Sequence, residues 1–303
     1  MSLKSLFRRA LAAIALATMV ATPAAPALAR APAAARPALW QVSDADTTIY
    51  LFGTIHLLPE NYQWRTAKFD DAVARSQQLV VETIVDDKHP EAMMSAMASM
   101  AFNTPNLKPL AERVPPAKRA ALTAAIKSSG YPPQALDRME TWAAAFVLLG
   151  DQFRGMGLKT GEGVEQTLKS AFAATGKPIG ELETNAEQLS FFDRLPESAQ
   201  LALLEGAIDK PKDMTTDFNQ MLASWSRGDV KAIAETFNRD LAESPPLRDS
   251  LIKRRNANWS HWVEQRMATP GAVMIAVGAG HLAGHDSLVE LLKKEGLKVR
   301  RLQ

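Results

Sequence analysis

The sequence predicts an α/β fold of mixed α+β character: a central mixed, largely parallel sheet with helices around it and two helical insertions. Three observations carry this. Short apolar runs rich in β-formers cluster near the two ends, at 38–52 and 272–302, with further runs at 78–84 and 178–184. The stretches between them, about 90–160 and 186–268, read as helices started and stopped by prolines. Two of the runs end in one signature. Gly53-Thr54-Ile55-His56 follows Thr48-Ile49-Tyr50-Leu51-Phe52, and Gly278-Ala279-Gly280-His281 follows Val273-Met274-Ile275-Ala276-Val277. A histidine just past a buried strand stands where open α/β sheets place ligands.

From the N-terminus, Lys4, Arg8 and Arg9 precede an apolar stretch from Ala10 to about Ala21, and Ala27-Leu28-Ala29 fits an Ala-x-Ala cleavage site. Residues 1–29 therefore read as a cleavable signal peptide, with the mature chain starting near Arg30 and residing in the periplasm or outside the cell. The apolar stretch is short beside the ~20 residues of a membrane span, so no stable span is expected after cleavage. No acidic residue lies before Arg30, so removing three basic ones takes the net charge from +2 to about −1 (2 − 3). That balance gives no argument for nucleic acid. Residues 30–37 read as a flexible leader, and 38–303 as a single domain.

Ala38–Ser43 and Thr48–Phe52, around Asp44-Ala45-Asp46-Thr47, predict a hairpin at a sheet edge whose second strand delivers His56. A helix over 67–76 follows, then a buried strand over 78–84 carrying Glu82. Pro90, Pro105, Pro115-Pro116 and Pro132-Pro133 punctuate the first insertion. Gly161-Glu162-Gly163 precedes a helix over about 164–175, and Gly176-Lys177 turns the chain into a short strand over 178–184 that carries Glu183. Pro196, Lys210-Pro211 and Pro245-Pro246 divide the second insertion, and the chain closes strand–helix–strand over 272–277, about 285–295 and 297–302. The runs at 79–84, 179–183 and 273–277 can lie side by side and parallel.

His56, Glu82, Glu183 and His281 all fall at or near strand ends. Two imidazoles with two carboxylates suit Mn²⁺, Co²⁺, Fe²⁺ or Zn²⁺ better than Cu⁺. The chain has no cysteine, which excludes thiolate catalysis, Cys-ligated zinc and disulfides. A carboxylate inside the run Leu-Val-Val-Glu-Thr-Ile is costly unless paired or metal-bound, which singles out Glu82. Glu183 reads equally well as a strand-end cap, and Glu181 shares its face. His89 and His261 have no matching context, and His285 falls near the start of the following helix. On spacing alone, Arg255 and Asn256 belong to a solvated basic face with Trp259 and Trp262 turned inward; the functional alternative has them hold a substrate carboxylate or oxyanion. Met93, Met94, Met97 and Met100 on one Ala-rich helix read as core, with an adaptable apolar wall for a peptide as the alternative. The chain carries neither a Walker A loop nor a Gly-x-Ser-x-Gly elbow.

Taken together, Tyr50-Leu51-Phe52-Gly53-Thr54-Ile55-His56, Val81-Glu82, Gly176-Lys177-Pro178 with Leu182-Glu183-Thr184 and Gln188, Arg255-Asn256, and Val277-Gly278-Ala279-Gly280-His281-Leu282-Ala283-Gly284 run through nearly the whole mature chain. In this order and spacing the sequence resembles the TraB/GumN (TraB–PrgY–GumN) family, which is related to the Tiki metalloproteases and more distantly to ChaN-like and erythromycin-esterase-like proteins. The resemblance implies their fold and an exported metal-dependent hydrolase, a peptidase of Tiki type using Mn²⁺ or Co²⁺, with Zn²⁺ or Fe²⁺ as alternatives. It implies a peptide or protein substrate. By that route His56, His281, Glu82 and Glu183 are metal ligands, and Glu82, Glu183, Arg255 and Asn256 carry catalytic roles. The rival expectation is a non-catalytic metal-, haem- or peptide-binding protein of the cell envelope. One departure stands out: many relatives have Gly-hydrophobic-Asp where this chain has Gly163-Val164-Glu165.

Overall fold

A computed structural model describes residues 35–85, 91–155, 163–208, 214–242 and 244–303. The expected signal segment, most of the leader, His89, Gly161-Glu162 and Lys210-Pro211 lie outside the described residues.

The fold is α/β, built on a six-stranded mixed sheet. Its strands are β1 (Leu39–Ser43), β2 (Thr47–Thr54), β3 (Gln78–Val81), β4 (Ile179–Glu181), β5 (Gly271–Gly278) and β6 (Val299–Arg301). Their order across the sheet is β4-β3-β5-β2-β1-β6. The pairs β4–β3, β3–β5 and β5–β2 are parallel, and β2–β1 and β1–β6 are antiparallel. The hairpin expected at an edge is instead covered by the C-terminal strand β6, which pairs with β1 through Trp40–Val42.

The central strands are apolar on both faces, which fits a sheet covered on both sides. On β5, Val273, Ile275 and Val277 join one buried cluster while Met274 and Ala276 join the other. Alternation along a strand separates the two faces. The larger cluster takes apolar side chains from α1 (Ala67–Arg75), α2 (Glu91–Ala101), α3 (Arg119–Ser129), α4 (Thr141–Gly155), α5 (Val164–Ala174), α6 (Asn185–Asp193), α7 (Glu197–Ile208), α8 (Met214–Ser226) and α9 (Val230–Ala242). The smaller cluster is closed by Trp259, Val263 and Met267 of α10 (Arg254–Met267) and by Leu288, Val289 and Leu292 of α11 (Leu288–Lys294). The second predicted insertion is thus split: α6 to α9 pack on one face, and α10 crosses to the other. Among the described residues, no helix is long and apolar enough to cross a membrane.

Two strand ends differ from the sequence expectation. The run expected to be extended through Ile84 stops at Val81, and the run expected to reach Glu183 stops at Glu181. The cause is local. The Glu181 carboxylate accepts the Ile84 backbone N–H at 2.7 Å and the Thr83 hydroxyl, pulling the chain out of the sheet. Glu82 therefore sits just beyond its strand, level with Glu183, whose N–H donates to the Glu82 carbonyl at 2.9 Å.

Candidate functional site

The carboxyl ends of the parallel strands converge, the position at which open α/β sheets gather ligands. Strand β2 leads to His56, β3 to Glu82, β4 to Glu183 and β5 to His281. The glycines of the two histidine signatures allow that convergence. A Cβ on Gly53 would lie 3.0 Å from Ala279 Cα, inside the second signature. One on Gly278 would lie 3.2 Å from Glu82 Oε1. The Gly278 N–H instead donates to that oxygen at 2.6 Å. The indole of Trp225 fixes the end of β2 by donating to the Gly53 carbonyl at 2.7 Å.

Helix α5 brings a further carboxylate. Its N-cap Gly163 packs against the His56 backbone, and Val164 N–H donates to the Ile55 carbonyl at 3.0 Å. Glu165, in the first turn, then reaches His56 Nδ1 at 3.2 Å and accepts from the Thr54 hydroxyl at 3.3 Å. His56, Glu82 and Glu165 each offer one ligand atom, and these atoms lie within 4.8 Å of one another. His56 Nε2 is buried and has no hydrogen-bond partner among the described residues. Gly163→Ala should overlap the His56 backbone and cost about 1–3 kcal/mol as an overpacked contact. Urea denaturation reads the cost, and an unchanged midpoint would contradict the packing described.

Behind this group lies a buried ion network. Arg255, 6% exposed, sits in the first turn of α10, entered through a π-helical turn over Asp249–Lys253. Its Nε donates to both oxygens of Glu183 at 3.0 Å. Its Nη2 donates to Glu82 Oε2 at 2.6 Å and to Glu183 Oε2 at 2.8 Å. Its Nη1 donates to His281 Nε2 at 3.2 Å. Its guanidinium also stacks on Trp259, 4.7 Å from the ring centre. Trp259 donates its indole N–H to Glu183 Oε1 at 3.0 Å, and Gln188 donates to Glu82 Oε2 at 3.3 Å.

The charges follow from this arrangement. Burial opposes ionisation of Glu82, yet the Arg255 charge and the Gly278 N–H hold its carboxyl down at about 2. Burial, then Arg255, pushes the His281 imidazole down to about 3, so it is neutral at physiological pH. Burial lifts the Glu183 carboxyl against the pull of Arg255. For His56, burial pulls down, but Glu165 and Glu82 together raise it above the ordinary histidine value.

Of the residues singled out in the sequence, His56 and Glu82 meet in the donor group, and His281 stands 3.9 Å from Glu82 Oε1. Glu183 faces Arg255 and Trp259 instead. Arg255 and Asn256 lie on no solvated basic face: both are buried. Asn256 contacts His281 and the Asp286 carbonyl. His285 is outside the group, paired with Asp286 and Arg248. Glu165, Trp259 and Gln188 complete the site. Trp259 was recoverable from its place four residues after Arg255 on one helix face, and Glu165 from its place in a first turn behind a glycine.

A sequence model of the TraB/PrgY/gumN family matches residues 38–301. The chain is also 25% identical over 244 residues to YbaP of Escherichia coli strain K12, a protein described as uncharacterized, covering 80% of this chain and 87% of that one. YbaP of Shigella flexneri matches to the same extent. No solved structure matches.

Proposed function

This chain belongs to the TraB/PrgY/gumN family, and from that premise we propose that the strand-end donor group is the site of a divalent-metal-dependent hydrolase acting on peptide or protein substrates. The observation that carries the proposal is the donor group of His56, Glu82 and Glu165, together with a His56 Nε2 that is buried and has no partner among the described residues. A nitrogen lone pair buried without a partner is costly unless something fills its place. One imidazole and two carboxylates suit Mn²⁺, Co²⁺, Fe²⁺ or Zn²⁺, and Mn²⁺ or Co²⁺ accord with the Tiki resemblance. A divalent ion held by these three residues would supply Lewis acidity, polarising a scissile carbonyl and acidifying water.

Contacts within and around that group prepare it. Glu165 accepts from His56 Nδ1, so in the neutral imidazole the lone pair lies on Nε2, the usual arrangement of a carboxylate behind a ligating histidine. Arg255 and the Gly278 N–H keep Glu82 ionised and aimed. Arg255 has most of its donors committed to Glu82, Glu183 and His281, so its role is to hold the site rather than to clamp a substrate carboxylate. The succession of basic, apolar and Ala-x-Ala segments at 1–29 supports action in the periplasm or beyond.

Elemental analysis of the purified chain tests the reading, after reloading with Mn²⁺, Co²⁺ or Zn²⁺ and alongside His56→Ala/Glu82→Gln. The expected result is one tightly held ion in the wild type, its loss in the variant, and metal-dependent cleavage of a peptide panel by the wild type alone. Specific metal in neither protein, or peptide cleavage unaffected by the double change, would overturn the reading.

A further inference from the structure

We infer that Asn256 is a positioning residue that sets the tautomer of His281 and, through it, the placement of Arg255 and Glu82. Asn256 is fully buried in the first turn of α10. Its Nδ2 donates to the Asp286 carbonyl at 2.7 Å and to the His281 carbonyl at 3.4 Å. Both acceptors are backbone oxygens, so they fix which way the amide faces. Its Oδ1 is thereby turned to His281 Nδ1, 2.8 Å away. An amide oxygen only accepts, so Nδ1 must carry the imidazole proton.

The consequence lies on the other side of the ring. With Nδ1 protonated, Nε2 presents a lone pair, and the Arg255 Nη1–H donates to it at 3.2 Å. In the opposite tautomer two N–H groups would face each other across that gap, and a bare nitrogen would face the Asn256 oxygen. Both contacts become repulsive. Arg255 would have to withdraw, and the same guanidinium holds Glu82 Oε2 at 2.6 Å. Asn256 thus acts at a distance on a carboxylate it does not touch, through one proton on one ring. The Asp286 carbonyl that orients the amide belongs to the loop between His281 and α11, so that loop's seating enters the same chain. Packing reinforces the ring's position: Trp259 lies against it, with ring centres 4.4 Å apart. The effect on metal binding rests on the proposed reading of the donor group; the tautomer itself does not.

The test is long-range ¹H–¹⁵N NMR of the metal-free full chain at neutral pH, with His281 assigned by difference from His281→Gln. The expected wild-type spectrum has a protonated Nδ1 and an unprotonated Nε2. Asn256→Asp keeps an acceptor beside Nδ1 and should keep that pattern. Asn256→Ala removes it and should shift the ring toward the Nε2–H form that the free side chain prefers. Mn²⁺ binding should then weaken about 10- to 100-fold, the usual loss when a group supporting a metal site is removed. A wild-type ring protonated at Nε2, or a folded Asn256→Ala protein that retains the wild-type tautomer, would overturn the inference. Should Asn256→Ala fail to fold, the wild-type spectrum alone still overturns the inference if Nε2 carries the proton. Absence of Mn²⁺ binding in the wild type would sink the metal reading and leave the tautomer result intact.

Discussion

Arg255→Leu should destabilise the protein by about 3–5 kcal/mol at neutral pH, the typical cost of removing one partner from a buried ion network. Glu82 and Glu183 are each 5% exposed, and Arg255 is the cation both of them face. Leucine fills part of the space but leaves two buried carboxylates about one guanidinium width apart. Two like charges so placed cannot both stay ionised cheaply. The pH dependence separates this loss from an ordinary packing defect. In the wild type the Glu82 carboxyl titrates at about 2, below the 4.5 of an unfolded chain. A depressed carboxyl contributes stability that is present above the unfolded value and is lost as pH falls through the folded one. Wild-type stability from this group should therefore decline between about 4.5 and about 2. In Arg255→Leu the sign reverses: with the cation gone, burial raises both carboxyls, so protonation on mild acidification relieves the strain. Urea denaturation across pH should show the gap between the two proteins narrowing as pH falls from neutral. A gap independent of pH would mean that lost packing, not orphaned charge, accounts for the cost.

This network also marks where the sequence stops being legible. The fold class could be read because strand and helix periodicity are local. Val273–Val277 is apolar at every position, short and β-branched-rich, as a strand covered on both faces needs, and the paired Gly-x-x-His signatures placed His56 and His281 at strand ends. The sheet's far edge was not legible, because β6 contributes only three paired residues and nothing local says that Val299–Arg301 returns to lie against Trp40–Val42. The partners of each carboxylate were not legible either. Glu165 could be singled out behind Gly163, but its partner His56 lies 109 residues away (165 − 56), and only the packing of Gly163 on the His56 backbone brings the two together. Glu183 has the same residue type and strand-end context as Glu82, yet a bidentate guanidinium takes it up. The difference depends on where Arg255 stands, at the start of α10 directly after a π-helical turn over Asp249–Lys253.

The largest functional loss is expected at His56, and its neighbour Glu165 shows how that histidine works. His56→Ala removes an Nε2 that has no partner among the described residues and should abolish specific metal retention and any metal-dependent hydrolysis, with little loss of fold because the side chain is only partly buried and, among the described residues, pairs with Glu165 alone. Glu165 can serve the site in two ways. It can contribute an oxygen directly, as its place among the three donor atoms allows. It can also act only by holding the Nδ1 proton of His56, 3.2 Å away, so that Nε2 is the bare nitrogen. The two roles predict different losses. Glu165→Gln keeps the shape and an acceptor oxygen but removes the charge. An orienting role alone should then weaken Mn²⁺ binding about 10- to 100-fold, as for other groups that support a ligating histidine. Direct ligation should make the loss as complete as in His56→Ala. Glu165→Asp adds a second discriminator. It keeps the charge on a shorter arm, so it should recover binding only if the carboxylate can still reach, and the Thr54 hydroxyl 3.3 Å from Oε1 is placed to hold it. Mn²⁺ titrations on the three variants give the ranking. Wild-type affinity in both Glu165 variants would remove this residue from the site and leave His56 and Glu82 to hold the ion without it.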